Sequence, residues 1–257
     1  INYPFRKTKE KRPYNETEKK ETQKKNFSTI IFNIFIIIGF YSHQSYETAM
    51  HEQLPDSLIE FEQKYPEATD FVENYHKYKN KSFDLDVSHE VRKDNIPLFI
   101  QWDKRWGYKT YGSNFLGVNG CGPTSLSMVI CGLTGKATWN PYKVAQFSQK
   151  QGYYISGQGL RGSDDCRCKK LGLTSTEGTI NNDYIRQNLT SSTPMICSML
   201  PGDFTYSGHF IVLTGIDSKG RVVVNDPTAP KTAKTLDMDR LLPQIRHIWK
   251  FEVEKAA

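Results

Sequence analysis

The sequence predicts an α+β domain, with helices in its first half packed on an antiparallel sheet from its second, and three observations predict it. After Gly120-Cys121-Gly122-Pro123, the apolar residues Leu126, Val129, Ile130 and Leu133 recur at helical spacing and stop at Gly135. Four short β-rich runs follow, at 194–200, 209–217, 221–225 and 247–253. Ser218-Lys219-Gly220 supplies a hairpin turn between the middle two, so these two pair antiparallel.

A chain of 257 residues, 37% hydrophobic and 24% charged, accommodates one catalytic domain with an N-terminal extension. Residues 1–26 form a basic tail with nine Lys or Arg against four Asp or Glu, which is +5 of the chain's formal +6. The remainder is nearly neutral, so the basic excess offers no folded face to nucleic acid. Residues 27–41, FSTIIFNIFIIIGFY, are almost unbroken apolar sequence. This run is shorter than the roughly 20 residues of a comfortable span, and no small-x-small cleavage site follows it. It reads as a signal anchor, with a cleaved signal peptide core as the alternative, and the positive-inside tendency keeps the basic tail in the cytoplasm. A buried helix fits less well, because a helix apolar on all sides needs a large core around it. Either membrane reading exports the later domain, membrane-anchored or secreted.

Residues 54–79 form a helical preface. Leu54-Pro55-Asp56 resembles a helix start, Leu58, Ile59, Phe61 and Tyr65 follow at near-helical spacing, and Pro66 breaks the pattern. A second helix then carries Phe71, Val72 and Tyr75 on one face, as packing residues. Residues 80–95 are charged and without periodicity, a linker to a domain at 96–257. Trp102 and Trp106 pack over the edge of that domain. Gln101 is either an ordinary surface residue or a side-chain amide able to donate to an oxyanion, and Asn114 and Asn119 are the substitutes nearer in sequence to Cys121.

Cys121 opens the helix that follows it, where unpaired amides and the positive end of the helix dipole favour a thiolate and can bind an oxyanion. Cys131, near the other end of that helix, reads as core packing. His209 starts one strand and Asn225-Asp226-Pro227 ends its hairpin partner, so antiparallel pairing brings them together. Because successive strand residues face opposite sides, only one of Asn225 and Asp226 addresses the imidazole. Taken singly, a Gly-Cys-Gly, a strand-start His and an Asn-Asp-Pro turn are ordinary structural features. Together they have the parts of a thiol hydrolase: a nucleophile, a base and a group that holds the base's tautomer.

The other cysteines, Cys131, Cys166, Cys168 and Cys197, show neither a disulfide framework nor metal-ligand spacing, and no cofactor or metal is expected. A disulfide involving Cys166 or Cys168 stays open outside the cell. Gly157-Gln158-Gly159-Leu160-Arg161-Gly162 opens on no helix after a strand and reads as an active-site loop, not a phosphate cradle.

Gln101-Trp102-Asp103 with Arg105-Trp106, Gly120-Cys121-Gly122-Pro123-Thr124-Ser125, Gly208-His209-Phe210-Ile211-Val212 and Asn225-Asp226-Pro227 resemble the double-glycine-peptidase-like branch of the papain-like cysteine peptidases. The resemblance covers about residues 98–253 and implies a papain-like fold with Cys121 as nucleophile, His209 as base and Asp226, standing directly before Pro, as orienting acid. It departs in two respects, the first being that the family's oxyanion glutamine stands a few residues before the nucleophile, whereas Gln101 is much farther away. Bacteriocin-leader enzymes also carry transporter modules that are not seen here. What the resemblance implies is a free-standing, exported peptidase of a low-GC Gram-positive bacterium, acting on peptide, cell-wall or isopeptide bonds, and a monomer is expected. An acyltransferase or cell-wall amidase on the same fold, or an inactive surface binding module, are the alternatives.

Overall fold

A computed structural model describes residues 33–39, 54–152, 154–155, 159–160, 168, 170–228 and 234–254. The chain divides into two units, Ile1–Leu54 and Pro55–Ala257. In the first, residues 33–39 form a short helix, α1, with Ile34, Phe35, Ile36, Ile37 and Ile38 exposed. The basic tail and most of the apolar run at 27–41 lie outside the described residues. No helix among the described residues is long and apolar enough to cross a membrane.

The second unit opens with the preface. Helix α2 (Asp56–Lys64) gives way at Pro66 to a 3-10 turn, then to α3 (Thr69–Glu73) and α4 (Tyr75–Tyr78). Leu58, Phe61, Ala68, Phe71 and Val72 are buried. The Phe71 ring stacks on Tyr108 with centroids 4.4 Å apart, and the Tyr108 hydroxyl donates to the Phe71 carbonyl at 2.7 Å. The preface is therefore fastened to the body it precedes. The stretch 80–95, expected to be a linker, also enters the core through Val87 and Val91. Two valines four residues apart in a charged segment are too sparse to register as a periodic pattern, yet each finds the core.

A short hairpin, β1 (Thr110–Tyr111) and β2 (Asn114–Phe115), leads through α5 (Leu116–Asn119) into α6 (Cys121–Thr134) and then α7 (Pro141–Lys150). Helix α6 buries every residue from Gly122 to Leu133, so it is the central helix, covered on all sides. Two of its hydroxyls reach neighbours, Ser125 donating to the Phe210 carbonyl at 3.3 Å and Ser127 to that of Trp139 at 2.6 Å, whereas the buried Thr124 Oγ1 has no hydrogen-bond partner. A two-stranded piece, β3 (Tyr154–Ile155) and β4 (Gly159–Leu160), follows; most of the loop expected at Gly157 to Gly162 lies outside the described residues.

The main sheet takes β5 (Leu173–Glu177), β6 (Met195–Met199), β7 (His209–Ile216), β8 (Val222–Asn225), β9 (Lys234–Leu236) and β10 (Ile245–Val253) in the order β5-β10-β6-β7-β8-β9. Every neighbouring pair is antiparallel. Ile196, Val212 and Phe251 face α6, whereas Met195, Cys197 and Met199 face a second cluster that includes Ile185 of α8 (Asn182–Asn188) and Leu241 of α9 (Met238–Leu241). Burial on both faces explains why the central strands β6, β7 and β8 are largely apolar along their length. The fold is thus mixed helix and antiparallel sheet, as the sequence predicts.

Candidate active site

Cys121 is the first residue of α6 and is half-buried. The bond from Ser125 to Phe210 lays the first turn of α6 against the start of β7, where His209 stands. In the β7–β8 hairpin, Val212 pairs with Asn225. Continuing that register carries residues 226–228 alongside residues 211–209. His209 Nε2 accordingly lies 2.7 Å from Asp226 Oδ1, and both side chains are buried. The imidazole also interacts electrostatically with Cys121, which favours its charged form. With Nε2 committed to Asp226, Nδ1 is the ring nitrogen left for the sulfur.

Electrostatics favour a charged ring. Burial alone would push the imidazolium pKa of His209 down, but the hydrogen bond to Asp226 and the charges of Asp226 and Cys121 outweigh it and push it up to about 10. Burial likewise works to raise Asp226, and the His209 contact together with bonds from Thr228 holds its carboxyl below the usual range. Asp226 Oδ1 accepts from both the backbone N–H and the hydroxyl of Thr228, each at 2.8 Å, and Thr228 Oγ1 is 3.4 Å from His209 Nε2. Sequence reasoning missed Thr228. The signal was present, because an Asp side chain that receives the N–H two residues on is the Asx-turn pattern of Asp-Pro-Thr.

Asn225 points elsewhere. Its Nδ2 donates to the carbonyls of Ile96 and Pro97 at 3.0 and 3.1 Å, tying the strand end to the start of the domain. Gln101 is buried, not on the surface. Its backbone N–H donates to the Pro227 carbonyl at 2.9 Å, and its Nε2 to the carbonyls of Gly117 at 2.7 Å and Val118 at 3.3 Å. It therefore joins the turn of Asp226 to the loop that enters Cys121, and its buried Oε1 has no hydrogen-bond partner. Asn114, one of the substitutes, accepts from Ser57 at 3.1 Å and from its neighbour Phe115 at 2.8 Å.

Tyr65, at the end of α2, stands near the site. Its ring lies against Phe61 and Trp102, with centroids 5.0 and 6.0 Å away. Burial pushes its phenol up to about 12, with the charges of Cys121 and Asp226 adding to the rise and Thr205 opposing it. No sequence signal links residue 65 to residue 121. Cys131 is core, as expected, and burial pushes its thiol up to about 12. Among the described residues, no group of three or more His, Cys, Asp or Glu could hold a metal ion.

A family model, the Peptidase_C39 like family, matches residues 93–250. No curated protein matches the chain. Similar solved structures include a double glycine motif protease from an AMS/PCAT transporter in complex with the leader peptide, 17% identical, covering 62% of this chain and 93% of that one with a TM-score of 0.43. Another is the peptidase domain of Streptococcus ComA, a bi-functional ABC transporter involved in a quorum sensing pathway. It is 17% identical, covering 53% of this chain and 93% of that one with a TM-score of 0.38.

Proposed function

This chain belongs to the Peptidase_C39 like family, and from that premise we propose that it is a cysteine peptidase working through Cys121, His209 and Asp226. Membership supports a cysteine peptidase at the level of the family; the residue roles are the proposal. The observation that carries it is the buried His209 imidazole, 2.7 Å from Asp226 and in electrostatic interaction with Cys121.

In this reading, the Cys121 sulfur gives its proton to His209 and attacks the carbonyl carbon of a peptide or isopeptide bond. The oxyanion that forms meets the Cys121 backbone N–H at the start of α6, and the Gln101 amide joins as second donor by exchanging its bond to the Gly117 or Val118 carbonyl. As the tetrahedral intermediate collapses, His209 passes its proton to the leaving amine. Water, deprotonated by the same ring, then releases the acyl group from sulfur. Asp226 holds the ring's orientation and balances its positive charge throughout, and no cofactor takes part. We also read the basic stretch 1–26 and apolar run 27–41 as placing the domain outside the cytoplasm, where cell-wall peptides are candidate substrates.

The test is to incubate the protein with a peptide library and measure its intact mass for an acyl adduct, alongside iodoacetamide alkylation of Cys121 against pH. Cys121→Ala should lose both adduct and label while keeping the fold. His209→Ala should label more slowly near neutral pH. Equal labelling in the His209 variant would dismiss the pair.

A further inference from the structure

His209 belongs to the sheet and Cys121 to α6, so the hairpin that sets the ring against Asp226 does not by itself set it against the sulfur. Two buried hydroxyls flank the histidine. After it in sequence stands Phe210, whose carbonyl accepts from Ser125 Oγ at 3.3 Å. Ser125 lies one turn along α6 from Cys121 and is fully buried. Its bond therefore ties the helix of the sulfur to the residue next to the ring.

Before the histidine, the loop from β6 closes around Thr205. Thr205 Oγ1 accepts from the N–H groups of Ser207 at 3.2 Å and Gly208 at 3.1 Å, and donates to the Gly208 carbonyl at 3.0 Å. Gly208, directly before His209, has φ of 143°, a region that L side chains avoid. A Cβ built there would meet nothing within 4 Å, so the backbone angle, not crowding, calls for glycine. Such a turn persists only while its surroundings hold it. Earlier in the loop, the Asp203 carboxylate accepts from Arg240 at 2.7 Å, its N–H donates to Gln244 at 2.6 Å, and Phe204 is buried in the second core cluster. Those contacts fix residues 203 and 204; the turn at 205–208 is gathered on the Thr205 hydroxyl.

We propose that Ser125 and Thr205 are positioning residues of the site: Thr205 holds the Gly208 turn before His209, Ser125 ties Phe210 after it to α6, and together they set the imidazole against the Cys121 sulfur. Each acts through the backbone on one side of the ring. The inference rests on the reading of Cys121 and His209 as the working pair.

Thr205→Val and Ser125→Ala in the full chain each remove one hydroxyl with little change of shape. Two readouts follow: the rate of iodoacetamide alkylation at Cys121 against pH, and the titration midpoint of the His209 ring by NMR. The titratable groups acting on that ring are Asp226 and Cys121, with the Thr228 hydroxyl beside them, and all three are the same in every variant. Loss of one hydrogen bond should slow alkylation below neutral pH about threefold to tenfold. The rate profile should move towards that of a free thiol, with its pKa of about 8.5. The His209 midpoint should fall, because the contacts that raise it are loosened. Thr205→Ser keeps the hydroxyl and should recover both readouts. Wild-type profile and midpoint in Thr205→Val and Ser125→Ala would overturn the proposal, as would a fall in melting temperature with both readouts unmoved. If alkylation instead proves independent of His209, the peptidase reading fails, while the His209 midpoint in the two variants still decides whether these hydroxyls hold the ring.

Discussion

Asp226 Oδ1 stands 2.7 Å from His209 Nε2, and each of the two side chains is about 3% exposed. A buried pair so close should leave a mark on stability. The folded pKa of His209 lies above the free imidazole's 6.5, so its contribution is whole below that value and is lost as pH rises through about 10. The folded pKa of Asp226 lies below 3.8, so its contribution is present above that value and is lost as pH falls through the depressed one. The urea midpoint of the wild type should therefore exceed that of Asp226→Asn most between 3.8 and 6.5, with the gap narrowing towards pH 10. A gap independent of pH would mean that the two are not an ion pair.

Asn225, one residue away, should behave oppositely. Removing its amide in Asn225→Ala leaves the carbonyls of Ile96 and Pro97 without their donor. The expected cost is about 1–3 kcal/mol of stability, measured by urea denaturation. Alkylation of Cys121 and the His209 midpoint should both stay at wild-type values. A collapse in alkylation with full stability would return Asn225 to the site.

The difference between these two neighbours shows what was legible in advance. Hairpin pairing brought residues 225 and 226 to His209, and the alternation of strand faces required that only one address it. Choosing Asp226 needed the resemblance, and the structure adds the reason: Asn225 is turned towards Ile96 and Pro97, residues that local patterning cannot see. The start of α6 was legible because Gly120, Pro123 and the spacing of its apolar residues are local signals. Tyr65 and Phe71 were not. Their partners, Trp102, Tyr108 and Gly117, are set by how the preface folds back, and a packing aromatic looks the same in sequence whichever surface it covers.

Gln101 offers a way to separate positioning from chemistry. Alkylation by iodoacetamide is a displacement at saturated carbon and forms no oxyanion, whereas amide hydrolysis does. If the Gln101 amide donates to the oxyanion, Gln101→Ala should cut hydrolysis by about 10²–10³-fold and alkylation far less. If it only tethers the loop through Gly117 and Val118, the two rates should fall together. Measuring both on one preparation of the variant decides between these roles.

Phe71 gives the strictest test of whether the preface supports the site. A Cβ added to Gly117 would lie 2.6 Å from Phe71 Cζ, and one added to Gly107 would lie 2.7 Å from Phe71 Cε2, so the ring fills the space that both glycines leave. Gly117→Ala should therefore overpack, costing about 1–3 kcal/mol. Phe71→Ala should leave a cavity and cost about 3–5 kcal/mol. In the double variant the new methyl group is relieved of the ring and keeps only the Gly107 carbonyl oxygen at 3.1 Å as a tight neighbour, so the combined cost should fall short of the sum by a measurable coupling energy. Because the Gly117 carbonyl is also the acceptor for Gln101, both single variants should slow alkylation of Cys121. Additive costs with unchanged alkylation would show the preface to be packed on the domain without bearing on its chemistry.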